Sequence, residues 1–305
     1  MSVRARLINA GLRAARLAGF GRKFEKAVAE RSTLDALLAR VRHYDEIAPP
    51  KRLLRRWDHE SLDADGSALH VLRYRKDKPT ARVLLYFHGG GYMVGPARMH
   101  WNAMAALARG ARADLAMSIY PKSPEHDHRA TIDAALAAYA AMSSRYGPEN
   151  VVVGGDSAGG GLVVSLLTAL RDQKTVQPRA ALLISPWLDI SMSDPASTAQ
   201  SKSDLMLTIA GVRAAGAYYA GDREPTDPVI SPRFAATSEL APMHVFVGTD
   251  EIFLADCLSF AEKAKANGDP LTLRVIPRGQ HVAAIFSTPE GKIARAQMLA
   301  LIDWP

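Results

Sequence analysis

The hydrophobic pattern beyond residue 80 alternates between short apolar runs and longer helical stretches. The apolar runs are typical of buried strands and occupy residues 82–87, 114–120, 151–153, 180–184, 243–247 and 271–276. Predicted helices occupy residues 129–146, 158–171, 254–267 and 289–304. Buried strands that alternate with helices form mostly parallel sheets with both faces covered. The pattern therefore predicts an α/β fold.

Two stretches at the start of the chain differ from this alternation. Residues 1–47 are predicted to be helical, with a break near Gly19 and Gly21. Residues 55–75 predict two strands around the turn at residues 63–66, which ends in a glycine.

Residues 190–240 also interrupt the pattern. They hold one predicted helix, over residues 204–219, within a stretch that contains many Ser, Pro and Asp residues. This stretch is too long for a plain connection between a strand and a helix. We interpret it as an insertion that lies over one end of the sheet.

The composition excludes several classes of protein. Hydrophobic residues make up 48% and charged residues 23% of the 305 positions, which is typical of a globular protein. No apolar run is long enough to predict a transmembrane helix. The single cysteine, Cys257, cannot form an intrachain disulfide.

Positive charge is concentrated at the N-terminus. Residues 1–56 hold 14 Lys and Arg against 5 Asp and Glu, whereas the remainder holds 24 against 26. This distribution argues against a nucleic-acid-binding body. Six basic residues precede the first acid, Glu25. A solvated amphipathic helix is the favoured interpretation, with an organelle transit peptide or a membrane-surface helix as the alternatives. We expect a cytoplasmic protein without stable membrane insertion, and a membrane-peripheral location is the alternative.

A candidate nucleophile lies in the motif Gly155-Asp156-Ser157-Ala158-Gly159. The motif directly follows a predicted strand and precedes a predicted helix. A nucleophile on such a strained strand-to-helix turn needs small neighbours, and the helix N-terminus places N–H groups near it. A helix-capping serine is the alternative interpretation.

A candidate oxyanion site lies in His88-Gly89-Gly90-Gly91, at the end of the strand over residues 82–87. Consecutive glycines allow backbone N–H groups to turn toward a substrate oxygen, and a developing oxyanion needs two or three such donors. A flexible loop is the alternative. Ser157 would supply the nucleophile, and this loop would supply the N–H donors that stabilise the oxyanion.

A serine nucleophile also requires a base and an acid. His281 follows the strand over residues 271–276 and is the predicted base, while His244 lies inside a strand. Asp250, after the strand over residues 243–247, is the predicted acid. Asp256 is the second candidate for the acid and Glu251 the third.

Other polar and aromatic residues leave alternatives open. His126 and His128 alternate, but no third ligand has a convincing spacing, so we expect no metal and no cofactor. Met206, Tyr218 and Tyr219 could line an acyl pocket or pack a small helical cap, and packing is favoured. The complete set of predicted pocket residues is Tyr92, Asp156, Met206, Tyr219 and Val282.

Taken together, these motifs resemble the hormone-sensitive-lipase-like group of α/β hydrolases, the bacterial family IV carboxylesterases. Tyr120–His126, Ser185–Asp189 and Asp227–Pro232 are similar to further family landmarks. The resemblance runs from about residue 50 to the C-terminus. Where the family has Asp-Pro-Leu at its acid, this sequence has Asp250-Glu251-Ile252.

The resemblance implies an α/β-hydrolase fold in two parts. Residues 1–47 and 190–225 would form a helical cap, and residues 48–189 and 226–305 the catalytic domain. Ser157, Asp250 and His281 would form the triad. Gly90, Gly91 and the amide of Ala158 would form the oxyanion hole, which Gly89 would shape.

The sequence thus predicts a serine carboxylesterase for small esters, and the resemblance implies short acyl chains. An amidase with the same machinery is one alternative. A ligand-binding protein without activity, similar to the plant gibberellin receptors, is another, but such receptors lack the histidine that is present here as His281. We expect no nucleic-acid partner, and a homodimer is left open.

Overall fold

A computed structural model describes residues 1–17, 26–27, 30–76 and 78–302. Within these residues, eight strands form one sheet in the order β1-β2-β4-β3-β5-β6-β7-β8. The strands are β1 (Trp57–Ala64), β2 (Ser67–Tyr74), β3 (Val83–Phe87), β4 (Asp114–Ile119), β5 (Val151–Asp156), β6 (Ala180–Ile184), β7 (Met243–Gly248) and β8 (Leu271–Ile276). β2 pairs antiparallel with β1 and β4, and the other pairs are parallel. This confirms the predicted, mostly parallel α/β sheet.

The β1–β2 hairpin forms where the sequence predicted a turn. Ala64 pairs with Ser67, so only Asp65 and Gly66 lie between the strands. Both residues have positive φ angles, 53° and 77°. Two-residue hairpin loops of this kind require left-handed conformations, which Gly and Asp tolerate. The side chain of Asp63 accepts a hydrogen bond from the N–H of Gly66 at 2.6 Å.

Helices cover both faces of the sheet. They are α1 (Val3–Leu17), α2 (Arg31–Arg42), α3 (Lys51–Leu54), α4 (Arg98–Gly110), α5 (His128–Tyr146), α6 (Ala158–Asp172), α7 (Pro195–Gln200), α8 (Ile209–Ala220), α9 (Leu254–Ala266) and α10 (Pro289–Leu301). Short 3₁₀ turns occur at Pro148–Asn150 and Pro232–Phe234. Helix α4 was not predicted from the pattern.

The insertion differs from its prediction, because it contains α7 as well as α8, and α8 begins at Ile209 rather than at residue 204. The hydroxyl of Thr208 accepts a hydrogen bond from the N–H of Gly211 at 3.1 Å and so caps α8. Asp204 lies in the preceding turn, where its carboxylate accepts hydrogen bonds from the two N–H groups of residues 206 and 207. Local side-chain hydrogen bonds of this kind compete with a helix.

Alternate residues of β3 enter two different cores. Leu85 belongs to a core on one face, together with Ala135 of α5 and Leu166 of α6. Leu84 belongs to the core on the other face, together with Trp101 of α4 and Met298 of α10. Because successive strand residues point to opposite faces, an entirely apolar strand must be covered on both sides.

The N-terminal region packs against the body of the protein. Ser2 Oγ donates a hydrogen bond to Glu290 Oε2 at 2.7 Å, and Arg16 Nη2 donates to the carbonyl oxygen of Ser201 at 2.8 Å. Leu34 and Leu38 of α2 are buried in the same core as Leu85. The predicted break at residues 19 and 21 lies outside the described residues. Along the described part of the chain, no helix is long and apolar enough to cross a membrane.

Candidate active site

The parallel strands β3, β5, β6, β7 and β8 all end at one edge of the sheet. The segments that follow them bring together the glycine loop, which comprises residues 88–91, with Ser157, Ser185, Glu251 and His281. This edge is where ligands bind in open α/β sheets. The candidate site is therefore built from residues far apart in the sequence.

Ser157 occupies the sharp turn between β5 and α6. Its backbone has φ 54° and ψ −122°, a strained conformation for a residue with a side chain. Gly159 allows the start of α6 to lie close to β3, because a Cβ atom there would collide with the carbonyl oxygen of Phe87. The N–H of Ser157 is held by the carbonyl oxygen of Ile184 at 2.9 Å. The turn thus projects the hydroxyl at the edge of the sheet.

His281, the predicted base, lies against Ser157. Its Nε2 is 2.9 Å from Ser157 Oγ, and the imidazole and the Phe253 ring pack in a T-shaped arrangement at a centroid distance of 5.1 Å. The imidazole is buried, with 4% of the residue exposed. His244 lies within β7, as predicted.

The carboxylate beside His281 belongs to Glu251. Its Oε2 is 2.8 Å from His281 Nδ1, and Glu251 is completely buried. Its other oxygen accepts hydrogen bonds from Ser185 Oγ at 2.7 Å and from the N–H of Gly248 at 2.5 Å. Since a carboxylate only accepts, Nδ1 of His281 carries the proton and Nε2 is free to accept one from Ser157.

The surroundings of His281 favour its charged form. Burial by itself lowers the pKa of His281, but the hydrogen bond and negative charge of Glu251, together with the charges of Asp204 and Asp156, outweigh it. The pKa of His281 is therefore raised above its ordinary value. An imidazole in this setting accepts a proton more readily than an isolated one.

This arrangement corrects the predicted acid. Asp250 Oδ1 accepts a hydrogen bond from Thr249 Oγ1 at 2.9 Å, and its Oδ2 lies 3.5 Å from Arg278 Nε. The chain turns after β7, so the side chain one position later, with one more methylene, is the one that reaches the imidazole. Asp256 is inside α9 and pairs with Arg233 at 2.6 Å.

The carboxylate of Asp156 holds the glycine loop in place. The N–H of Gly89 donates to Asp156 Oδ1 at 2.9 Å, and a Cβ atom on Gly89 would collide with the same carboxylate. Gly90 and Gly91 have positive φ angles of 133° and 63°. Both the short contact and these conformations require glycine. Ala158 is the first residue of α6, so its amide lies next to Ser157.

Asp156 is therefore buried beneath the loop rather than lining a pocket. It accepts a hydrogen bond from the Tyr86 hydroxyl at 2.8 Å and lies 3.3 Å from His100 Nε2. Burial raises the pKa of Asp156, but His100, Tyr86 and the N–H of Gly89 lower it to a larger total extent, so the carboxylate is stabilised in its charged form. Sequence reasoning missed His100 and Tyr86, because neither stands near a motif.

His88 is buried at the start of the glycine loop. Its Nδ1 donates to the carbonyl oxygen of Gly89 at 2.7 Å, and its ring stacks on Tyr120 at 4.4 Å between centroids. The Tyr120 hydroxyl donates to the carbonyl oxygen of His88 at 2.5 Å. Burial lowers the pKa of His88 to about 3. His88 is therefore a neutral donor that fixes the loop.

The other predicted pocket residues lie in two groups. The rings of Tyr92 and Tyr219 stack at 3.6 Å between centroids, and both are completely buried. Met206 packs against a core cluster that includes Val282. The N–H of Val282 donates to Ser185 Oγ at 3.1 Å. This bond links the base loop, the segment after β8 that carries His281, to the residue that binds Glu251.

The two histidines that were considered as metal ligands have separate surroundings. His126 is exposed, whereas His128 is buried and its Nε2 accepts a hydrogen bond from Arg223 Nε at 2.9 Å. The side chain of Asp127 caps α5 through the N–H of Arg129. Among the residues that the structure describes, no group of three His, Cys, Asp or Glu side chains could hold a metal ion.

Three further residues of the site were missed by sequence reasoning, namely Ser185, Asp204 and Gln280. Ser185 directly follows β6, and its place at the carboxyl end of a strand is a signal that could have identified it. Nothing in the local sequence marks Asp204 or Gln280, since their contacts join segments about 50 and 75 residues apart.

Comparison with known proteins identifies the family of the chain. Residues 84–285 match the protein family that is described as an alpha/beta hydrolase fold. An acetyl-hydrolase of Streptomyces hygroscopicus is 33% identical over 223 residues, which cover 72% of this chain and 75% of that protein.

Solved structures give the same result. An esterase from the bacterial hormone-sensitive lipase family is 33% identical with a TM-score of 0.76, over 80% of this chain and 83% of that chain. The esterase EstE5, in a crystal soaked with p-nitrophenyl butyrate, is 31% identical with a TM-score of 0.75, over 81% and 84% of the two chains.

Proposed function

This chain belongs to the hormone-sensitive-lipase-like group of α/β-hydrolase esterases, and from that membership we propose that it hydrolyses carboxylic esters through Ser157, His281 and Glu251. The observation that carries the proposal is the continuous chain of contacts from the hydroxyl to the imidazole to the buried carboxylate, at 2.9 and 2.8 Å. Nucleophile, base and orienting acid require this order of contacts.

The proposed reaction has two halves. Ser157 Oγ attacks the ester carbonyl carbon while His281 Nε2 takes its proton, and a tetrahedral intermediate forms. Collapse of this intermediate breaks the bond to the alcohol, which receives the proton from His281 and leaves an acyl-enzyme. Water then attacks the acyl group, with His281 again as base, and releases the acid. Glu251 orients the imidazole and stabilises its charged form.

We assign the oxyanion hole to the backbone N–H groups of Gly90, Gly91 and Ala158. Its support is the position of the glycine loop, which His88 and Asp156 fix from below before any substrate binds. Donors that are fixed in advance stabilise developing charge without reorganisation. Gly89 shapes the loop because its amide is already bound to Asp156.

We propose that the substrates are small esters with short acyl chains. The similarity to an acetyl-hydrolase supports this size class. The stacked pair of Tyr92 and Tyr219 also supports it, because these buried rings fill space beside the glycine loop. Residues 1–47 and 190–225 are proposed to form a cap, supported by the contact of Arg16 with Ser201.

The test is turnover of p-nitrophenyl acetate, butyrate and octanoate, and of the p-nitroanilide matched to the acetate. We expect hydrolysis of the acetate and butyrate, weaker hydrolysis of the octanoate, and little of the amide. Ser157→Ala should reduce kcat by at least about 10⁴-fold. Ser144→Ala, an exposed serine on α5, is the control and should retain full turnover.

Each result decides a different point. A folded wild-type protein that is inert on all three esters would overturn the proposal. Faster turnover of the anilide than of the acetate would replace the esterase with an amidase. A longer preferred acyl chain would contradict only the size of the acyl pocket.

A further inference from the structure

One short turn of the insertion contacts both of the loops that carry the proposed acid and base. The turn comprises residues 203–207, between α7 and α8. On one side Asp204 Oδ2 accepts a hydrogen bond from the N–H of Ile252 at 3.0 Å, and Ile252 directly follows Glu251. The turn is therefore bound, through a buried carboxylate, to the acid loop, which is the segment after β7 that carries Glu251.

The other side of the turn is tied to the base loop. Gln280 Oε1 accepts a hydrogen bond from the N–H of Leu205 at 2.8 Å, and its Nε2 donates to the carbonyl oxygen of Ser203 at 3.1 Å. Gln280 directly precedes His281. The acid loop and the base loop therefore contact the same five-residue turn, which belongs to the insertion and not to the sheet.

Asp204 is also an electrostatic neighbour of His281. It is completely buried, and its Oδ1 accepts hydrogen bonds from the N–H groups of Met206 and Leu207, both at 2.8 Å. With Ile252, three backbone donors point at this carboxylate and favour its ionised form. Burial acts in the opposite direction and has the larger effect, so the pKa of Asp204 is raised above its ordinary value, although the charge of His281 and the backbone donors lower it in part.

The charged groups that act on His281 come from three elements. Glu251 follows β7, Asp156 ends β5 and Asp204 lies in the insertion, and each raises the pKa of the imidazole. Glu251 touches the imidazole, whereas Asp156 is already paired with His100. Asp204 is thus the charge that the insertion contributes to the base.

We propose that Asp204 is a positioning residue for the reaction: it holds the acid loop at its distance from His281 and adds a second negative charge that stabilises the imidazolium. The inference rests on the proposed function of Ser157, His281 and Glu251. It makes the insertion part of the acid–base machinery in addition to any role as a cover. Because Asp204 acts through other residues, its loss should weaken turnover rather than abolish it.

The experiment compares Asp204→Asn and Asp204→Glu by the pH profile of kcat/KM on p-nitrophenyl acetate. Asp204→Asn removes the charge and places an amide N–H against the N–H of Ile252. We expect kcat to fall about 10- to 100-fold, because small displacements of reacting groups have effects of this size. We also expect the acid limb of the profile to move about half a pH unit or more toward lower pH.

Asp204→Glu keeps the charge but displaces the carboxylate. We expect kcat to fall here as well, with the acid limb within about 0.2 pH unit of wild type, because the charge beside the imidazole is retained. KM should change little in either variant, because Asp204 acts through the triad loops and not through bound ester.

Asp189→Asn is the matched control. Asp189 directly precedes the insertion and is also completely buried, and it too accepts hydrogen bonds from backbone N–H groups, those of Ser191 and Ser193. Loss of packing around a buried aspartate would affect both sites, so thermal unfolding is measured for all variants. We expect the acid limb of Asp189→Asn to coincide with that of wild type.

A second variant keeps the proposal testable if Asp204→Asn does not fold. Gln280→Met cuts the tie to the base loop but leaves the charge of Asp204 in place, so kcat should fall while the acid limb stays. Coinciding acid limbs for wild type and Asp204→Asn would overturn the electrostatic role. An unchanged kcat in Asp204→Asn, Asp204→Glu and Gln280→Met would overturn the positioning role.

The proposal can fail without the proposed function failing. If Ser157→Ala is inactive and the Asp204 variants behave as wild type, only the role of Asp204 is wrong. If Ser157→Ala retains full turnover, the proposed function itself fails and the assignment of Asp204 fails with it.

Discussion

Two buried histidines at the same edge of the sheet have opposite properties. His88 follows β3 and His281 lies in the segment after β8. The Nδ1 of His88 faces the carbonyl oxygen of Gly89, whereas the Nδ1 of His281 faces the carboxylate of Glu251. The pKa of His88 is lowered to about 3 by burial, whereas that of His281 is raised despite its burial.

The partner of the imidazole, and not its burial, decides the chemistry of these two histidines. Burial disfavours the charged form of both rings. A carbonyl dipole does not offset this cost at His88, which stays neutral and donates one fixed hydrogen bond. The ionised Glu251 does offset it at His281, which can therefore accept the serine proton. His88 is thus suited to fix the conformation of the glycine loop, and His281 to transfer a proton.

The largest expected effect comes from making His281 resemble His88. Glu251→Gln removes the negative charge, so the imidazolium loses its stabilisation and the pKa of His281 falls. We expect kcat on p-nitrophenyl acetate to fall on the order of 10³- to 10⁴-fold. Asp250→Asn is the control and should stay within about 3-fold of wild type, because the Asp250 carboxylate lies 3.5 Å from the exposed guanidinium of Arg278. A larger loss in Asp250→Asn than in Glu251→Gln would reverse the assignment of the acid.

A smaller effect is expected from displacing the loop that His88 holds. In Gly89→Ala the added methyl group collides with the Asp156 carboxylate, so the N–H donors of the loop must shift. We expect kcat to fall about 100-fold. Gly66→Ala is the control: its φ of 77° is unfavourable for alanine, but it lies in the β1–β2 turn with open space around it. Gly66→Ala should lower thermal stability and leave kcat unchanged. Equal kcat values in both variants would refute the role of the glycine loop.

The smallest expected effect is on stability in acid. Between pH 6.5 and about 3, His88 binds a proton in the unfolded chain but not in the folded protein. Stability is therefore lost as the pH falls through this range, by at most about 1.4 kcal/mol per pH unit from this group. His88→Gln should flatten this dependence in urea unfolding at pH 4, 5, 6 and 7. His43→Gln, at an exposed histidine, is the control for removal of a histidine. An equally steep dependence in His88→Gln would show that His88 is not buried in its neutral form.

Much of the fold was determined by local sequence. Runs such as residues 82–87 are apolar on both faces, and only a strand covered on both sides buries them completely. The turn at residues 63–66 and the strand-to-helix turn at Ser157 depend on glycines at fixed positions, which the sequence displays directly. The pairing of Ser157 with His281 followed from one rule, that parallel strands end at the same edge.

The tertiary structure alone decided which carboxylate meets His281. Asp250 and Glu251 are adjacent acids after the same strand, and no local pattern separates them. The choice depends on the direction of the chain after β7 and on Ser185, which comes from another strand and binds Glu251 at 2.7 Å. The same holds for Asp204, whose contacts lie 48 residues away in the sequence at Ile252. Sequence patterns record local backbone preferences and burial, whereas the partner of a buried charge is set by distant segments that meet only in the folded chain.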